Sequence, residues 1–123
     1  MEHPKLSLVH EDSRGEMYAI KLPDGRELML IHSVPGALRG GHSHASSEAV
    51  MVLEGEMLHR KRVGDTETMT AVGDCGVYWN LPGEIHLGEF DRDCWLVEWR
   101  KGTDRTNTDY EPWREKVRAN AAR

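Results

Sequence analysis

Short alternating segments separated by turn residues recur along most of this 123-residue chain, and they constrain its fold more than any other feature. Apolar and polar residues alternate within each segment, as is typical of β-strands with one buried face. Turn residues mark the breaks, for example at Pro23-Asp24-Gly25 and Gly64-Asp65. We predict strands over Lys5–His10, Glu16–Leu22, Glu27–Val34, Glu48–Leu53, Glu56–Val63, Glu67–Val72, Val77–Leu81, Ile85–Phe90 and Cys94–Arg100.

So many short strands in one small chain predict a closed all-β architecture. A single open sheet of this size would leave long edges exposed, whereas a barrel made of two sheets removes them. A chain of 123 residues forms one domain around one core. We therefore predict a single β-barrel domain over residues 1–108.

The last segment, residues 109–123, has a different character and predicts a short C-terminal α-helix. It is poor in β-branched residues, and Pro112 suits the first helical position. Trp113, Val117 and Ala121 would lie on one face of that helix. We expect this face to pack on the outside of the barrel. The alternative is that the helix acts as a lid over a site or as a clasp between two subunits.

Composition argues against two classes of partner. The formal net charge is −5 and 30% of the residues are charged, so no strongly basic surface for nucleic acid is indicated. No apolar run approaches the ~20 residues that a membrane-spanning helix needs. The first residues lack the basic start and apolar core of a signal peptide. We expect a cytoplasmic protein that binds neither nucleic acid nor a membrane.

The segment before the fourth predicted strand carries residues at metal-ligand spacing. His42 and His44 are separated by one residue, so on an extended strand both imidazoles point to the same side. Glu48 keeps the same even spacing. A further histidine, His86, follows the turn Pro82-Gly83 at the start of another strand-like segment, and folding would bring it beside the first three residues.

Three imidazoles and one carboxylate are a donor set for a divalent transition metal. Mn, Fe, Co, Ni and Zn accept such ligands, whereas Ca and Mg prefer oxygen atoms. The other histidines are weaker candidates as ligands. His3 and His10 lie near the N-terminus, where solvated side chains are the default, and His32 and His59 are expected to be wall or surface residues.

The same residues resemble the first motif of the cupin superfamily. That motif reads Gly, five residues, His-x-His, three or four residues, Glu, six residues and Gly. Gly36, His42, His44, Glu48 and Gly55 match it without a gap. The resemblance is specific enough to carry the family assignment.

The second cupin motif is matched more loosely. In the family it reads Gly, five residues, Pro, x-Gly-x-x-His, three residues and Asn. Here Gly83 and His86 match, while Leu81 takes the place of the proline and Phe90 that of the asparagine. The spacing from Gly76 also departs from the motif by one residue.

The resemblance implies an all-β double-stranded β-helix, also called an RmlC-like jelly-roll barrel. It implies one divalent transition metal per chain held by His42, His44, Glu48 and His86, with a barrel that does not use a metal as the alternative. Small cupins are similar to one another in forming homodimers, so we expect a homodimer.

The metal ligands suggest two hypotheses for function. Four protein ligands leave open positions on an octahedral metal, and a site charge near +1 favours an anionic or oxygenated ligand. The first hypothesis is an enzyme acting on a small oxygenated or anionic metabolite, of dioxygenase, isomerase, lyase or decarboxylase type. Tyr78, Glu84 and His32 are then the candidate acid/base residues. The alternative is a non-catalytic metal or small-molecule binding module, or a sensor.

The last predicted strand has one face with Trp95, Val97 and Trp99, and another with Leu96 and Glu98. The tryptophan face would line a ligand pocket if it is the barrel interior.

Overall fold

The computed structural model describes residues 2–102 and 104–123, and these residues form eleven strands and one helix. Each of the nine predicted strands is confirmed, with ends that differ from the prediction by at most two residues. The elements are β1 (Lys5–Asp12), β2 (Gly15–Lys21), β3 (Glu27–Ser33), β4 (Leu38–His44), β5 (Glu48–Glu54), β6 (Met57–Val63), β7 (Thr66–Val72), β8 (Val77–Asn80), β9 (Ile85–Glu89), β10 (Cys94–Arg100), β11 (Asn107–Asp109) and α1 (Glu111–Ala121).

The strands form two antiparallel sheets that face each other. The first has the order β1-β2-β3-β10-β5-β8, and the second has the order β11-β4-β9-β6-β7. Several neighbours come from distant parts of the chain, such as β10 beside β3 and β9 beside β4. This arrangement confirms the predicted all-β barrel of two sheets. It also places His42 and His44 on β4 beside His86 on β9.

The apolar core lies between the two sheets. Its members come from the inward positions of both sheets and from two loops, and each is at most 6% exposed. Burying such side chains contributes about 1.5–3 kcal/mol each relative to exposure. The largest contributors are Ile31, Val50, Val52, Met57, Phe90 and Leu96.

A bulge in β4 changes which side chains enter the barrel. The register between β4 and β9 shifts between Gly40 and His42, and Gly40 and Gly41 have φ of 100° and 81°. A Cβ on Gly40 would lie 2.8 Å from the carbonyl oxygen of His86, so this close approach requires glycine. Residues three apart on a regular strand point to opposite faces. Because of the bulge, Arg39 and His42 both face the interior.

Helix α1 packs on the outer face of the second sheet. Trp113 is 6% exposed and Val117 is 1% exposed, and both pack against Leu87 of β9. Leu38 and Ile85 complete this outer apolar cluster. No helix within the described ranges has the length and apolarity needed to cross a membrane.

The third buried position of α1 is Asn120. Ala121, which was predicted to share a face with Trp113 and Val117, is only partly buried. The Asn120 amide nitrogen donates to the carbonyl oxygen of Gly36 at 2.9 Å, and its oxygen accepts from the Leu38 N–H at 2.9 Å. These bonds tie the end of the helix to the start of β4.

The tail also takes part in the second sheet. In β11, Asn107 lies opposite His44 and Asp109 lies opposite His42. The boundary predicted between residues 108 and 109 therefore falls within β11. The strand that carries two of the histidines is covered on this edge by the tail.

Replacing Trp113 with alanine tests the packing of α1. Because the indole is buried against the second sheet, we expect Trp113→Ala to lower the free energy of unfolding by about 3 kcal/mol. Trp79→Ala is the control, since Trp79 is 40% exposed and its loss should cost much less. Urea unfolding of both variants gives the comparison. Equal effects would favour the lid or clasp interpretation of the helix.

Candidate metal centre

The structure brings His42, His44 and His86 together at one end of the barrel. One ring nitrogen from each lies within 4.8 Å of the others. His42 on β4 lies directly opposite His86 on β9, and their ring centroids are 5.0 Å apart. The ring centroids of His44 and His86 are 4.8 Å apart. Antiparallel pairing of two distant strands thus joins the two parts of the sequence pattern.

Hydrogen bonds to backbone carbonyls fix the tautomers of two of these rings. Nδ1 of His44 lies 2.9 Å from the carbonyl oxygen of Ser46, and Nδ1 of His86 lies 3.2 Å from that of Glu84. A carbonyl oxygen only accepts, so each Nδ1 carries the proton and each Nε2 keeps its lone pair. The buried Nε2 of His44 has no hydrogen-bond partner among the described residues. Such an orphaned donor atom is what a metal ligand requires.

Glu48, the first residue of β5, places its carboxylate beside the three rings. Its Oε1 lies 3.5 Å from Nε2 of His44 and 3.7 Å from Nε2 of His86. The same oxygen accepts a hydrogen bond of 3.0 Å from the Asn80 amide. Nε of Arg100 lies 3.5 Å from Oε2. Asn80 and Arg100 lie directly opposite Glu48 on the two strands that flank β5.

The protonation states of this group suit a cationic ligand. Burial lowers the pKa of His42 to about 4 and that of His86 to about 3, so both rings are neutral at pH 7. Burial alone would raise the pKa of Glu48, but the pKa is held below its ordinary value, and the hydrogen bond from the Asn80 amide is among the causes. Neutral imidazoles with an ionised carboxylate form a donor set suited to a divalent transition metal.

A cavity of about 300 Å³ opens onto the histidines and extends between the sheets. Arg39, Arg100 and Arg114 line it together with apolar side chains. Arg39 donates to Oγ of Ser33 at 2.7 Å and to the carbonyl oxygen of His32 at 3.0 Å. Within the described residues, no carboxylate lies within 4.0 Å of its guanidinium. The cavity therefore holds a partly buried cation that is bonded to neutral groups.

Neither a protein-family model nor a curated protein matches the sequence, but solved structures match the fold. The capsular polysaccharide assembling protein CapF from Staphylococcus aureus superposes with a TM-score of 0.71 at 25% identity, over 85% of this chain and 32% of CapF. Oxalate oxidase in complex with the substrate analogue glycolate gives 0.60 at 17% identity, over 67% of this chain and 44% of its own. A variant of oxalate decarboxylase from B. subtilis gives 0.64 at 15% identity, over 87% of this chain and 30% of its own.

The chain folds as a cupin. The assignment made from the sequence motif is confirmed, and so is the jelly-roll fold that it implied. The chain spans about a third of the length of CapF.

Within this cupin, Glu98 of β10 is a second carboxyl group in the cavity. It lines the wall with Leu96 and Arg100. Burial raises the pKa of Glu98 to about 8, and the neighbouring charge of Glu48 adds to the effect. At pH 7 this carboxyl group keeps its proton and can donate it to a ligand.

The opposite face of β10 carries the tryptophans and points away from the cavity. Trp95 stacks on His32 with ring centroids 4.5 Å apart, and Trp99 contacts Trp79 edge to face. No tryptophan in the described ranges lines the cavity. The predicted tryptophan-lined pocket is therefore wrong, because the other face of the strand forms the barrel interior.

Two of the predicted acid/base residues lie next to the site without lining its cavity. The Tyr78 ring stacks on His59 with centroids 3.6 Å apart. The Glu84 carboxylate accepts from the Leu81 N–H at 2.8 Å and lies 3.2 Å from Nζ of Lys61. These contacts hold the cavity wall and the turn before His86.

The third predicted acid/base residue, His32, lies on the outside of the barrel. Its neighbours along β3, Ile31 and Ser33, point inward, so alternation directs His32 outward. Nδ1 of His32 lies 2.7 Å from a carboxylate oxygen of Glu16. Its position gives no support to an acid/base role in the cavity.

Further polar side chains line the cavity at positions that the sequence pattern did not assign to the site, among them Arg39, Asn80, Glu98 and Arg100. Their role depends on the cross-strand register, which single-strand alternation does not reveal. Of these residues, Glu98 is the one that the sequence could best have revealed, because this acidic residue shares a strand face with the apolar Leu96.

The low pKa of His86 predicts how the stability of the metal-free protein depends on pH. An unfolded histidine has a pKa of ~6.5, so below this pH the unfolded chain binds a proton that native His86 excludes until about pH 3. The free energy of unfolding should therefore fall as the pH drops from 6.5. His86→Gln removes this contribution.

The measurement is urea unfolding of both proteins in the presence of a chelator at pH 7, 6 and 5. The wild-type stability relative to His86→Gln should decrease by up to about 1.4 kcal/mol per pH unit below pH 6.5. The exposed His3 provides the control variant His3→Gln. A constant difference for His86→Gln would contradict the buried, neutral state of this ring.

Proposed function

We propose that this cupin binds one divalent transition metal per chain, one of Mn, Fe, Co, Ni or Zn, through His42, His44, Glu48 and His86. The observation that carries the proposal is the pair of Nε2 lone pairs on His44 and His86, which face the same buried space beside the Glu48 carboxylate. Leaving the buried Nε2 of His44 without a partner costs about 1–3 kcal/mol, and a bound cation removes this cost.

We further propose an enzyme that acts on a small oxygenated or anionic metabolite. When bound, the metal would supply Lewis acidity or activation of oxygen at the positions that the protein leaves open. The residues of the chain bind and orient the substrate. Their arrangement suits an anion, because Arg39 enters the cavity with only neutral hydrogen-bond partners. A cavity of about 300 Å³ is at the small end of the range for ligand sites.

The structural relatives support this substrate class. Oxalate oxidase has been solved with glycolate, a substrate analogue that carries a carboxylate and a hydroxyl group. CapF has been solved with the inhibitor 3-isopropenyl-tropolone, at 25% identity and a TM-score of 0.69 to this chain. Both compounds present two neighbouring oxygen atoms, a pattern that can chelate a metal ion.

Glu98 is the group best placed for proton transfer. It lies in the cavity wall, and its raised pKa keeps a proton available near neutral pH. Tyr78, Glu84 and His32 remain predicted acid/base residues, but none of them lines the cavity. Turnover of an oxygenated acid by the metal-loaded protein would support the enzyme, and binding without turnover would support the binding module or sensor.

The homodimer and the cytoplasmic location remain proposals. β1 is an edge strand of the first sheet, and it exposes Leu6, Leu8 and Val9 by more than half of their surface. Edge strands with exposed apolar residues favour pairing with a second copy.

Loss of one imidazole should release the metal. We expect His42→Ala to weaken Co²⁺ or Zn²⁺ binding by more than about 100-fold, beyond the 10–100-fold typical of residues that only orient ligands. Glu48→Gln should weaken binding less, since it removes the charge and keeps an oxygen atom. The exposed His10 provides the control variant His10→Ala. Metal content after dialysis against a chelator, measured by mass spectrometry, tests this prediction.

Full metal retention by His42→Ala under the competing chelator would overturn the proposed ligand set. Equal or tighter metal retention by Glu48→Gln would remove Glu48 from it.

Replacement of Arg39 should weaken anion binding without removing the metal. Loss of a charge-assisted hydrogen bond costs about 1.5–3 kcal/mol, so the Kd of glycolate or malonate should rise by tenfold or more in Arg39→Met. Arg26→Met is the matched control, because the Arg26 side chain is 75% exposed on a turn. Calorimetric titration of the metal-loaded proteins gives these constants. Unchanged affinity in Arg39→Met would exclude this guanidinium as an anion-binding group.

A further inference from the structure

His59 is a buried histidine that the proposed ligand set does not use. It lies on β6 in the second sheet, is 2% exposed, and lines the cavity near the three other rings. Its ring is roughly parallel to that of His86, with centroids 6.2 Å apart. Position alone would make it a candidate for a fourth imidazole ligand.

The direction of its hydrogen bonds excludes Nε2 as a ligand atom, and no nitrogen of His59 belongs to the group of ring nitrogens that lie within 4.8 Å of one another. Glu48 is ionised and only accepts, so the group of Asn80 that lies 3.0 Å from Oε1 is the amide nitrogen. The amide oxygen of Asn80 therefore faces Nε2 of His59 at 2.7 Å. Because that oxygen also only accepts, Nε2 of His59 must carry the proton.

His59 consequently has the opposite tautomer to the proposed ligands. His44 and His86 are protonated at Nδ1 and keep a lone pair on Nε2, whereas His59 is protonated at Nε2. Its buried Nδ1 has no partner within the described parts of the chain. Burial lowers the pKa of His59, so the ring stays neutral.

The surroundings of His59 hold this bond in place. The Tyr78 ring stacks on the imidazole at a centroid distance of 3.6 Å and an angle of 28°. Tyr78 lies two residues before Asn80 on β8, so one strand supplies both the stacking ring and the hydrogen-bond acceptor. The bond from His59 to Asn80 also joins the second sheet to the first across the barrel interior.

We propose that His59 is a positioning residue for Glu48 and acts through Asn80. The Nε2–H of His59 fixes the orientation of the Asn80 amide, and the amide then holds Oε1 of Glu48 toward the histidines. The inference rests on the proposed metal centre and adds to it a chain of two hydrogen bonds, from β6 through β8 to β5. Groups that orient a metal ligand typically change metal affinity by 10–100-fold.

The first test compares His59→Leu, which removes the donor, with His59→Gln, whose side-chain amide can replace it. Co²⁺ affinity should fall by about tenfold in His59→Leu and change less than threefold in His59→Gln. Competition with a chelator measures the affinities. Val52→Ala is the control for lost stability, because Val52 is a fully buried core residue outside this hydrogen-bond chain.

A double-mutant cycle separates positioning from general structural damage. If His59 acts through Glu48, adding His59→Leu to Glu48→Gln should cause little further loss of Co²⁺ affinity. A full additional tenfold loss in that background would overturn the inference, and so would an unchanged affinity in the single variant. The absorption spectrum of bound Co²⁺ should also change in His59→Leu, since Glu48 would then be held differently.

The tautomer provides a readout without metal. Nitrogen-15 NMR of the metal-free protein should find His59 protonated at Nε2, and His44 and His86 protonated at Nδ1. A proton on Nδ1 of His59 would overturn the positioning role alone. If the wild-type protein binds no Co²⁺, the metal centre is overturned and the positioning role with it. If it binds Co²⁺ with the same affinity as His59→Leu, only the positioning role fails.

Discussion

The buried carboxylate of Glu48 is the constraint on which the site depends. Removing an ionised group from water costs several kcal/mol unless charges and hydrogen bonds compensate. Here the compensation comes from Asn80 and Arg100, which lie 32 and 52 residues further along the chain. Both partners reach Glu48 because β8 and β10 flank β5 in a register that places all three residues in one row. The charge is therefore satisfied only when the first sheet is correctly assembled.

The balance of charge in the cavity follows from this arrangement. Glu48 contributes one negative charge, while Glu98 remains protonated near neutral pH. Arg39 and Arg100 face the same cavity, and the nearby Arg14 is paired with Asp12 at 2.7 Å. The cavity is thus positive before any metal is added, and a divalent cation would increase that charge. A positive cavity favours anions over cations.

Alternation along the chain was sufficient to predict the strands and the metal-ligand pattern. His42 and His44 share a face because they are two residues apart, and this rule holds without knowledge of the tertiary structure. The cross-strand partners of Glu48 could not be predicted without the strand register, which depends on pairing between distant parts of the chain. Alternation also could not predict the bulge at Gly40 and Gly41. The extra residue moves the side chains that precede it on β4 to the other face of the sheet.

The positions of the predicted acid/base residues outside the cavity have the same physical origin. Tyr78 does point inward, as an acid/base residue would, but His59 lies against its ring and separates it from the cavity. The sequence does not reveal that His59 occupies the space between Tyr78 and the cavity, since His59 comes from the other sheet. His32 was misplaced for a simpler reason, because Ile31 and Ser33 occupy the inward positions on either side of it.

The C-terminal tail shows that packing and site architecture are not separate here. The carbonyl groups of Gly40 and Gly41, at the bulge in β4, accept hydrogen bonds from the tail. The Tyr110 N–H bonds to Gly41 and the Arg114 guanidinium bonds to Gly40, each at 2.9 Å. A Cβ on Gly41 would lie 3.0 Å from the Arg114 backbone, so the tail fits against the bulge only where glycine is present. Because the bulge directs His42 into the barrel, a helix that packs on the outside also stabilises the geometry inside.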